Sequence, residues 1–576
     1  MRNLREFLNA LDRAGELVLV EAPVDPHLEL AEIHRRVVAA GGPALLFTSV
    51  KGSPFPVATN LFGSRKRLAI AFHNRPDRVV EELVSLLQKP SLGALWQNLT
   101  SLLKLGLRRK KRGPILEESE ADLTTLPLLT SWPKDGGPFI TLPLVYTEPP
   151  GGGPGNLGMY RIQRFDAHHT GLHFQIGKGG GFHYYEAEKQ GEALPVTIFL
   201  GGPPALTLAA VAPLPEKVPE LLFASLLLGR KLERIPYSPH PLIAECEFAL
   251  IGESPPHERR PEGPFGDHYG YYSLEHDFPY FKCHKVLRRK GAIYPATVVG
   301  KPRQEDFAIG DYLQDLMSPL FPVVMPGVKR LWSYGETGFH SLSAAVVQER
   351  YWRESMASGF RILGEGQLSL TKFLLLTDQE VDLRDFRKTL TTVLERFNPA
   401  TDLYIFGHLS FDTLDYAGPE LNKGSKGVLL GMGEARRKLP EKITGPLPEG
   451  ICEAIPFCPG CLVIEGDKES ALHHFTDWPL LVLVDNAKKA TKTVPSFLWT
   501  TFTRFEPAAD IHAKVNGVHR HHLCYEGPIL IDARMKPSYP EEVLCDPETA
   551  ALVTRRWKEY FPGGMTMGDS ESADVY

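Results

Sequence analysis

Two carboxylates and one guanidinium carry the chemistry that this sequence suggests first. Glu262-Gly-Pro-Phe-Gly-Asp267 sets two acids around a Gly-Pro-Phe-Gly turn, and Asn156-Leu-Gly-Met-Tyr-Arg161 begins with an amide able to ligate a cation and ends in an arginine. Proline and glycine hold such a turn by their own backbone preferences, so the acids do not sit on a helix that merely solvates them. If both face one pocket, repulsion and desolvation raise the pKa of one of them, as a general acid at neutral pH requires. An arginine beside them could bind a carboxylate through its planar fork. Tyr269, Tyr271 and Tyr272 follow directly and suit a lined cavity, although they could equally be core. An exposed acidic turn is the alternative reading.

Other candidate chemistry lacks a complete pattern. Gly151-Gly-Gly-Pro-Gly155 and Gly177-Lys-Gly-Gly-Gly181 would let backbone amides approach a phosphate, and Lys178 would complement its charge. Neither stands in the strand–GxGxxG–helix setting of a dinucleotide fingerprint, and neither is a Walker sequence. Cys458-Pro-Gly-Cys461 with His519-Arg-His-His522-Leu-Cys524 offers thiolates and imidazoles for a zinc site. A buried turn with scattered surface histidines is the alternative there. No Gly-x-Ser-x-Gly elbow supports serine catalysis.

The elements that must position these residues fall into four segments. With 576 residues the chain is long enough for two to four domains. Asn3 and Glu6 form a capping box before the apolar face Leu4, Phe7, Leu8 and Leu11, and a strand over Leu17–Val20 follows. Asp25-Pro26 starts a second helix that runs to Gly41-Gly42, and another covers 79–88. This α/β texture defines an N-terminal domain over 1–115. Residues 116–325 are β-rich between glycines and prolines, with strands at Leu194–Leu200 and 244–251, and a hairpin pairing 280–287 with 292–299. A barrel or sandwich is the expected result. Residues 326–445 return to α/β. There Phe373-Leu-Leu-Leu376, a helix capped by Asp382 and Leu403-Tyr-Ile-Phe406 make a βαβ unit. Residues 446–576 are a C-terminal extension with a last helix near Pro547–Tyr560. No internal repeat is evident.

Composition narrows the partners. A net charge of −5 argues against a dedicated nucleic-acid binder, and the one basic run, Arg108-Arg-Lys-Lys-Arg112, reads as a solvated interdomain loop. No apolar stretch reaches the ~20 residues that span a bilayer. The N-terminus lacks the apolar core of a signal peptide, and 7 cysteines suit a reducing cytoplasm.

Taken in order, the motifs resemble the UbiD family of prenylated-FMN-dependent decarboxylases over most of residues 1–430. They are the opening helix and strand, Asn156 to Arg161, Pro213-Leu-Pro-Glu-Lys-Val-Pro-Glu220, the Glu262–Asp267 turn with His268-Tyr-Gly-Tyr271, and Gly424-Ser-Lys426. The resemblance implies an α+β fold with an N-terminal α/β domain, a central flavin-binding split β-barrel, a C-terminal α/β oligomerisation domain and here an extended C-terminal segment. It implies that Arg161, Glu262 and Asp267 are catalytic, with Asp267 as proton donor. It implies that Met159, Tyr160, Arg161, His173, Phe174, Gln175, Lys178, Gly179 and Lys426 contact prenylated FMN. Asn156 and Glu220 would hold a divalent metal, typically manganese, with potassium as a further ion. Relatives commonly carry a histidine ligand where Gly177 stands, so His173, His183 or water would complete the shell, or the site would rely on two protein ligands.

Removing CO2 from an aromatic or vinylic carbon leaves electrons that no side chain delocalises, so a cofactor must accept them. The resemblance thus implies reversible, non-oxidative decarboxylation of an aromatic or α,β-unsaturated acid, with a flavin prenyltransferase as cofactor supplier and a homodimer or homohexamer as the assembly. The long C-terminus looks like the menaquinone-associated branch, whose substrate class would be a hydroxylated naphthoate or benzoate. A flavin-dependent oxidoreductase on a split-barrel fold, or a non-catalytic flavin-binding assembly protein, are the alternatives.

Overall fold

The computed structural model describes residues 1–73, 75–88, 105–174, 179–212, 214, 219–301 and 303–569, and the chain divides into two units, 1–316 with 542–573, and 317–541. The fold is mixed α+β.

The first unit opens as its sequence predicts. Asn3 caps the helix Leu4–Arg13 by accepting the Glu6 amide, and Leu4, Phe7, Leu8 and Leu11 are buried. Such a cap contributes about 1 kcal/mol. Leu17–Val20 pairs in parallel with Ala44–Phe47, and Val57–Thr59 and Tyr294–Pro295 complete a four-stranded sheet. The second helix starts at Glu29 rather than at Asp25-Pro26. Asp25 spends its carboxylate on the His27 amide two residues on, closing a turn in place of a cap.

Two further expectations fail in this unit for identifiable reasons. Leu107–Arg109 of the basic run is a strand parallel to Leu232–Ile235, and Lys110 lies 2.5 Å from the buried Glu233, so the run has a countercharge and is not merely a solvated loop. The 292–299 segment does not turn back on its neighbour. Tyr294–Pro295 joins the N-terminal sheet instead, on its edge, where a residue without an N–H is tolerated.

The main sheet of this unit is antiparallel, in the order His169–Gly171, Tyr280–Arg288, Phe248–Ser254, Leu194–Leu200, Leu144–Thr147, Asn156–Gly158. Its two end strands lie close together in sequence. The chain therefore passes from one edge of the sheet to the other between residues 158 and 169, and that passage carries Arg161.

The second unit contains a repeat that the sequence does not display. Its first sheet runs Val328–Ser333, Leu342–Val347, Phe373–Thr377, Lys423–Gly431, Leu403–Ser410, and its second runs Ile451–Cys458, Cys461–Gly466, Leu480–Leu483, His522–Asp532, Ile511–His519. In each, the first step is antiparallel, the next two are parallel, and the last is antiparallel. The expected βαβ unit is thus corrected, because the strand after the helix Phe386–Arg396 lies antiparallel and one position further out, with Lys423–Gly431 inserted between. Asp385, not Asp382, caps that helix. Phe386, Leu390 and Val393 from the first copy share one core with Phe457, Leu480, Val482 and Phe502 from the second.

Candidate active site

Arg161 sits between two acids. Its Nε and Nη2 donate to the two oxygens of Glu262 at 2.8 and 2.9 Å, Nη1 bonds Asp267 Oδ2, and Nη2 also donates to Ser273 Oγ at 2.9 Å. The guanidinium carbon stands 5.0 Å from the Phe265 ring centroid. This fixes the plane of the fork as well as its position. Glu262 is fully buried and Asp267 nearly so. His173 Nδ1 lies 3.2 Å from Glu262 Oε2, and its buried Nε2 has no hydrogen-bond partner among the described residues. On the other side, His268 Nδ1 is 2.6 Å from Asp267 Oδ1.

The electrostatics depart from the expectation of one raised acid. Burial pushes the Glu262 carboxyl up, but the Arg161 charge and hydrogen bonds, with His173, outweigh it and hold the group at about 2. Burial likewise pushes Asp267 up, and the His268 hydrogen bond and Arg161 charge hold it well below the usual carboxylate range. One guanidinium serving both acids removes the repulsion that would have lifted one of them. His173 is lowered by burial and by the Arg161 charge, against the pull of Glu262.

The turn between the acids is held by residues that no motif announced. Gly263 N–H donates to Gln163 Oε1 at 2.7 Å, Gln163 Nε2 donates to Gly136 O at 2.8 Å, and Gly136 N–H donates to Pro264 O at 2.7 Å. Asp135 accepts the amides of Ser131, Trp132 and Gly266 at 2.9, 2.9 and 2.8 Å. Burial raises the Asp135 carboxyl to about 6 against those amides. Gly266 is required sterically, since a Cβ there would stand 2.1 Å from Trp132 Cδ1. Gln163, Asp135 and Ser273 are ordinary polar residues in sequence, and only the folded contacts mark them.

A second group forms around Asn156. Leu157 N–H donates to Glu220 Oε2 at 3.0 Å, which brings Asn156, at the start of its strand, beside Glu220, at the start of the helix Glu220–Leu228. Burial raises the Glu220 carboxyl. Gly179 opens the helix Gly179–Gln190 against Asn156, where a Cβ would lie 2.1 Å from Asn156 Oδ1, and Gly180 N–H donates to the buried Tyr160 hydroxyl at 3.2 Å. An amide oxygen and a carboxylate are the donors a hard divalent ion takes, and a glycine-lined helix N-terminus suits a phosphate. The residues present therefore fit a metal–phosphate pair. Met159 is half-buried, and Phe174 packs edge-on against Tyr160 with ring centroids 5.3 Å apart.

Gln175, Gly177 and Lys178 lie outside the described residues. His183 Nδ1 is 2.9 Å from Thr147 Oγ1. Lys426 belongs to the second unit, where its Nζ donates to Thr371 O at 2.9 Å and burial lowers it to about 8 against the pull of Asp415 and Asp412. Lys372 lies nearby, its Nζ 2.7 Å from Asp415. Cys458 and Cys461 face each other across a hairpin, and the strand Leu480–Leu483 separates the Cys461 strand from the one carrying His522 and Cys524. Among the described residues no cluster of three or more His, Cys, Asp or Glu side chains is placed to hold a metal.

Known proteins match the chain along most of its length. Three family models align in order, all of 3-octaprenyl-4-hydroxybenzoate carboxy-lyase: the N-terminal domain over residues 8–87, the Rift-related domain over 107–302 and the C-terminal domain over 308–431. The chain is 55% identical to a 4-hydroxybenzoate decarboxylase subunit of Chlamydia pneumoniae, across 98% of this chain and 100% of that one. Its fold is similar to that of the vanillic acid decarboxylase of Sedimentibacter hydroxybenzoicus in closed form, with a TM-score of 0.65 at 23% identity over 78% of this chain and 96% of that one. It is also similar to the UbiD-class enzyme HmfF of Pelotomaculum thermopropionicum in complex with FMN, with a TM-score of 0.62 at 24% identity over 77% and 97%.

Proposed function

This chain belongs to the UbiD family of carboxy-lyases, and on that premise we propose that it removes CO2 from an aromatic carboxylic acid with prenylated FMN as cofactor. The proposed substrate class is a hydroxylated benzoate or naphthoate in quinone synthesis, menaquinone included. The name of the chlamydial relative favours the benzoate. One observation carries the reading: a single guanidinium bonded at once to Glu262 and Asp267 in a buried site.

When bound, the flavin supplies the electron sink that no side chain offers. Arg161 orients the substrate carboxylate by turning part of its fork toward it. Glu262, bidentate to Arg161, keeps the remaining donors in plane. As Nη1 leaves Asp267, that carboxyl loses the Arg161 charge, one of the two partners holding it down, and moves toward its protonated form. His268, in contact with Asp267 and a quarter exposed, passes the proton inward from solvent. Asp267 then delivers it to the carbon that lost CO2. Tyr160, Phe174, Met159, His173, Gln175, Lys178, Gly179 and Lys426 would contact the cofactor. Asn156 and Glu220 would hold manganese, with potassium as an optional companion, against its phosphate. A flavin prenyltransferase would supply the cofactor, and the working form would be a cytoplasmic homodimer or homohexamer.

The test is to co-express the chain with a flavin prenyltransferase, purify it anaerobically and assay a panel of hydroxylated benzoates and naphthoates for CO2 release. Release from at least one acid is expected. Ordinary FMN bound with hydride-transfer activity, and no CO2 from any acid, would overturn the proposal.

A further inference from the structure

The C-terminal end of the chain returns to the acid-bearing turn. Asp267 N–H donates to Tyr271 O at 3.1 Å and Gly270 N–H donates to Asp267 O at 2.8 Å, which closes a tight loop over residues 267–271. On the far side of that loop, Val543 N–H donates to Gly270 O at 3.0 Å, and Glu542 forms an antiparallel bridge with Tyr271. Val543 is fully buried in a small cluster with Trp132 and Tyr272, and Cys545 packs against it. Glu542 also forms an ion pair with Lys301, whose side chain is fully buried. Trp132 is the residue against which Gly266 is pressed, and its amide is held by Asp135.

The loop is therefore clamped from two directions. Asp135 grips the Gly266 amide immediately before Asp267, and residues 542–543 grip Gly270 and Tyr271 shortly after it. The second grip comes from residues beyond 431, where the last family model ends. We propose that Val543 and Glu542 are positioning residues for the reaction, setting the register of the 267–271 loop so that Asp267 meets Arg161 and the reacting carbon. This inference rests on the reading of Asp267 as proton donor.

A register error here acts on geometry rather than on bulk stability. Proton transfer needs donor and acceptor within hydrogen-bond reach, and a misplacement of about 1 Å can cost about a hundredfold in rate. Losing one peripheral backbone bond opens a loop locally while the core strands of the same unit remain protected.

Val543→Pro removes the N–H that Gly270 O accepts, and Val543→Ile serves as the conservative control. Hydrogen exchange of the apo chain is read at 264–273 and at the core strand Leu194–Leu200. The holoenzyme is assayed for kcat, KM and solvent deuterium incorporation at the carbon that loses CO2. Expected for Val543→Pro is exchange faster by about tenfold at 264–273 only. Its kcat should fall by at least about tenfold at near-constant KM, with Val543→Ile close to the parent. Unchanged exchange at 264–273, or a loosened loop with unchanged kcat, would overturn the proposal. If Val543→Pro exposes Leu194–Leu200 as well, Val543→Ala and Glu542→Gln decide by the same readouts. Full turnover in Asp267→Asn would instead remove the donor role, while the exchange result still judges the clamp by itself.

Discussion

The first unit's buried charges are organised by one forked cation, and the second unit's by two ammoniums. In the first, one arginine is shared by Glu262 and Asp267, with Ser273 as a further acceptor on the same fork. In the second, two lysines, Lys372 and Lys426, lie near Asp415, with Lys372 in direct contact and Lys426 held by a backbone carbonyl and drawn also by Asp412. The acid-rich cluster drives its carboxyls down, whereas in the lysine cluster burial drives both ammoniums down. A planar fork presents five donors in a fixed geometry, whereas an ammonium presents three on a flexible stem.

The largest effect should come from breaking the shared fork. Arg161→Met leaves two buried acids without their shared cation and is expected to cost about 3–5 kcal/mol in denaturant unfolding of the first unit, with decarboxylation lost. A stability change under about 1 kcal/mol would refute the shared pairing. Lys372→Met leaves Asp415 buried with Ser341 Oγ at 3.1 Å as its remaining side-chain donor, and about 3 kcal/mol should be lost from the second unit alone. Pulse proteolysis of each unit separates the two cases.

Asp267→Asn sharpens the contrast. Glu262 still pairs with Arg161, so about 1.5–3 kcal/mol should be lost, less than for Arg161→Met, while kcat falls by at least about a hundredfold. The pH responses should diverge as well. Glu262 drops from 4.5 to about 2 on folding, so its contribution is complete above about 4.5 and is lost as pH falls toward 2. Lys426 drops from 10.5 to about 8, so the unfolded chain binds the extra proton between those values and stability rises with pH across that window. A second unit that loses stability steadily from pH 8 to 10 would contradict the burial of Lys426. The smallest stability change belongs to Lys426→Met, expected within about 1 kcal/mol because only one carbonyl loses its donor. Its cofactor occupancy, read by absorbance after reconstitution, should still fall.

Legibility in the sequence follows local chemistry. The Asn3 cap, the face of Leu4, Phe7, Leu8 and Leu11, the strand Leu194–Leu200 and the helix Pro547–Tyr560 are all written in short-range patterns, and the structure contains them. The central acids are visible because glycine and proline punctuate them. What the sequence conceals is long-range pairing: Tyr294 with Val57, Leu107 with Leu232, and Val543 with Gly270. The repeat escapes for a related reason. Its two copies share strand order and direction, but where one copy has Lys372 and Lys426 just before paired strand positions, the other has Pro479 and Pro528. Topology needs only apolar strands in the right order, so the charged residues of one copy leave no trace in the other.

The path of the chain sets an order of assembly. Glu29 accepts a hydrogen bond from Tyr560, 531 positions further along, and pairs with Arg556 on the same late helix. Residues 317–541 emerge from the ribosome before that helix does. During synthesis the first unit therefore waits with its Glu29 face unmet while the second can already fold. A folded second unit also shortens the effective loop to be closed when the last helix emerges. Truncation from the C-terminus should therefore harm the beginning of the protein before it harms its middle.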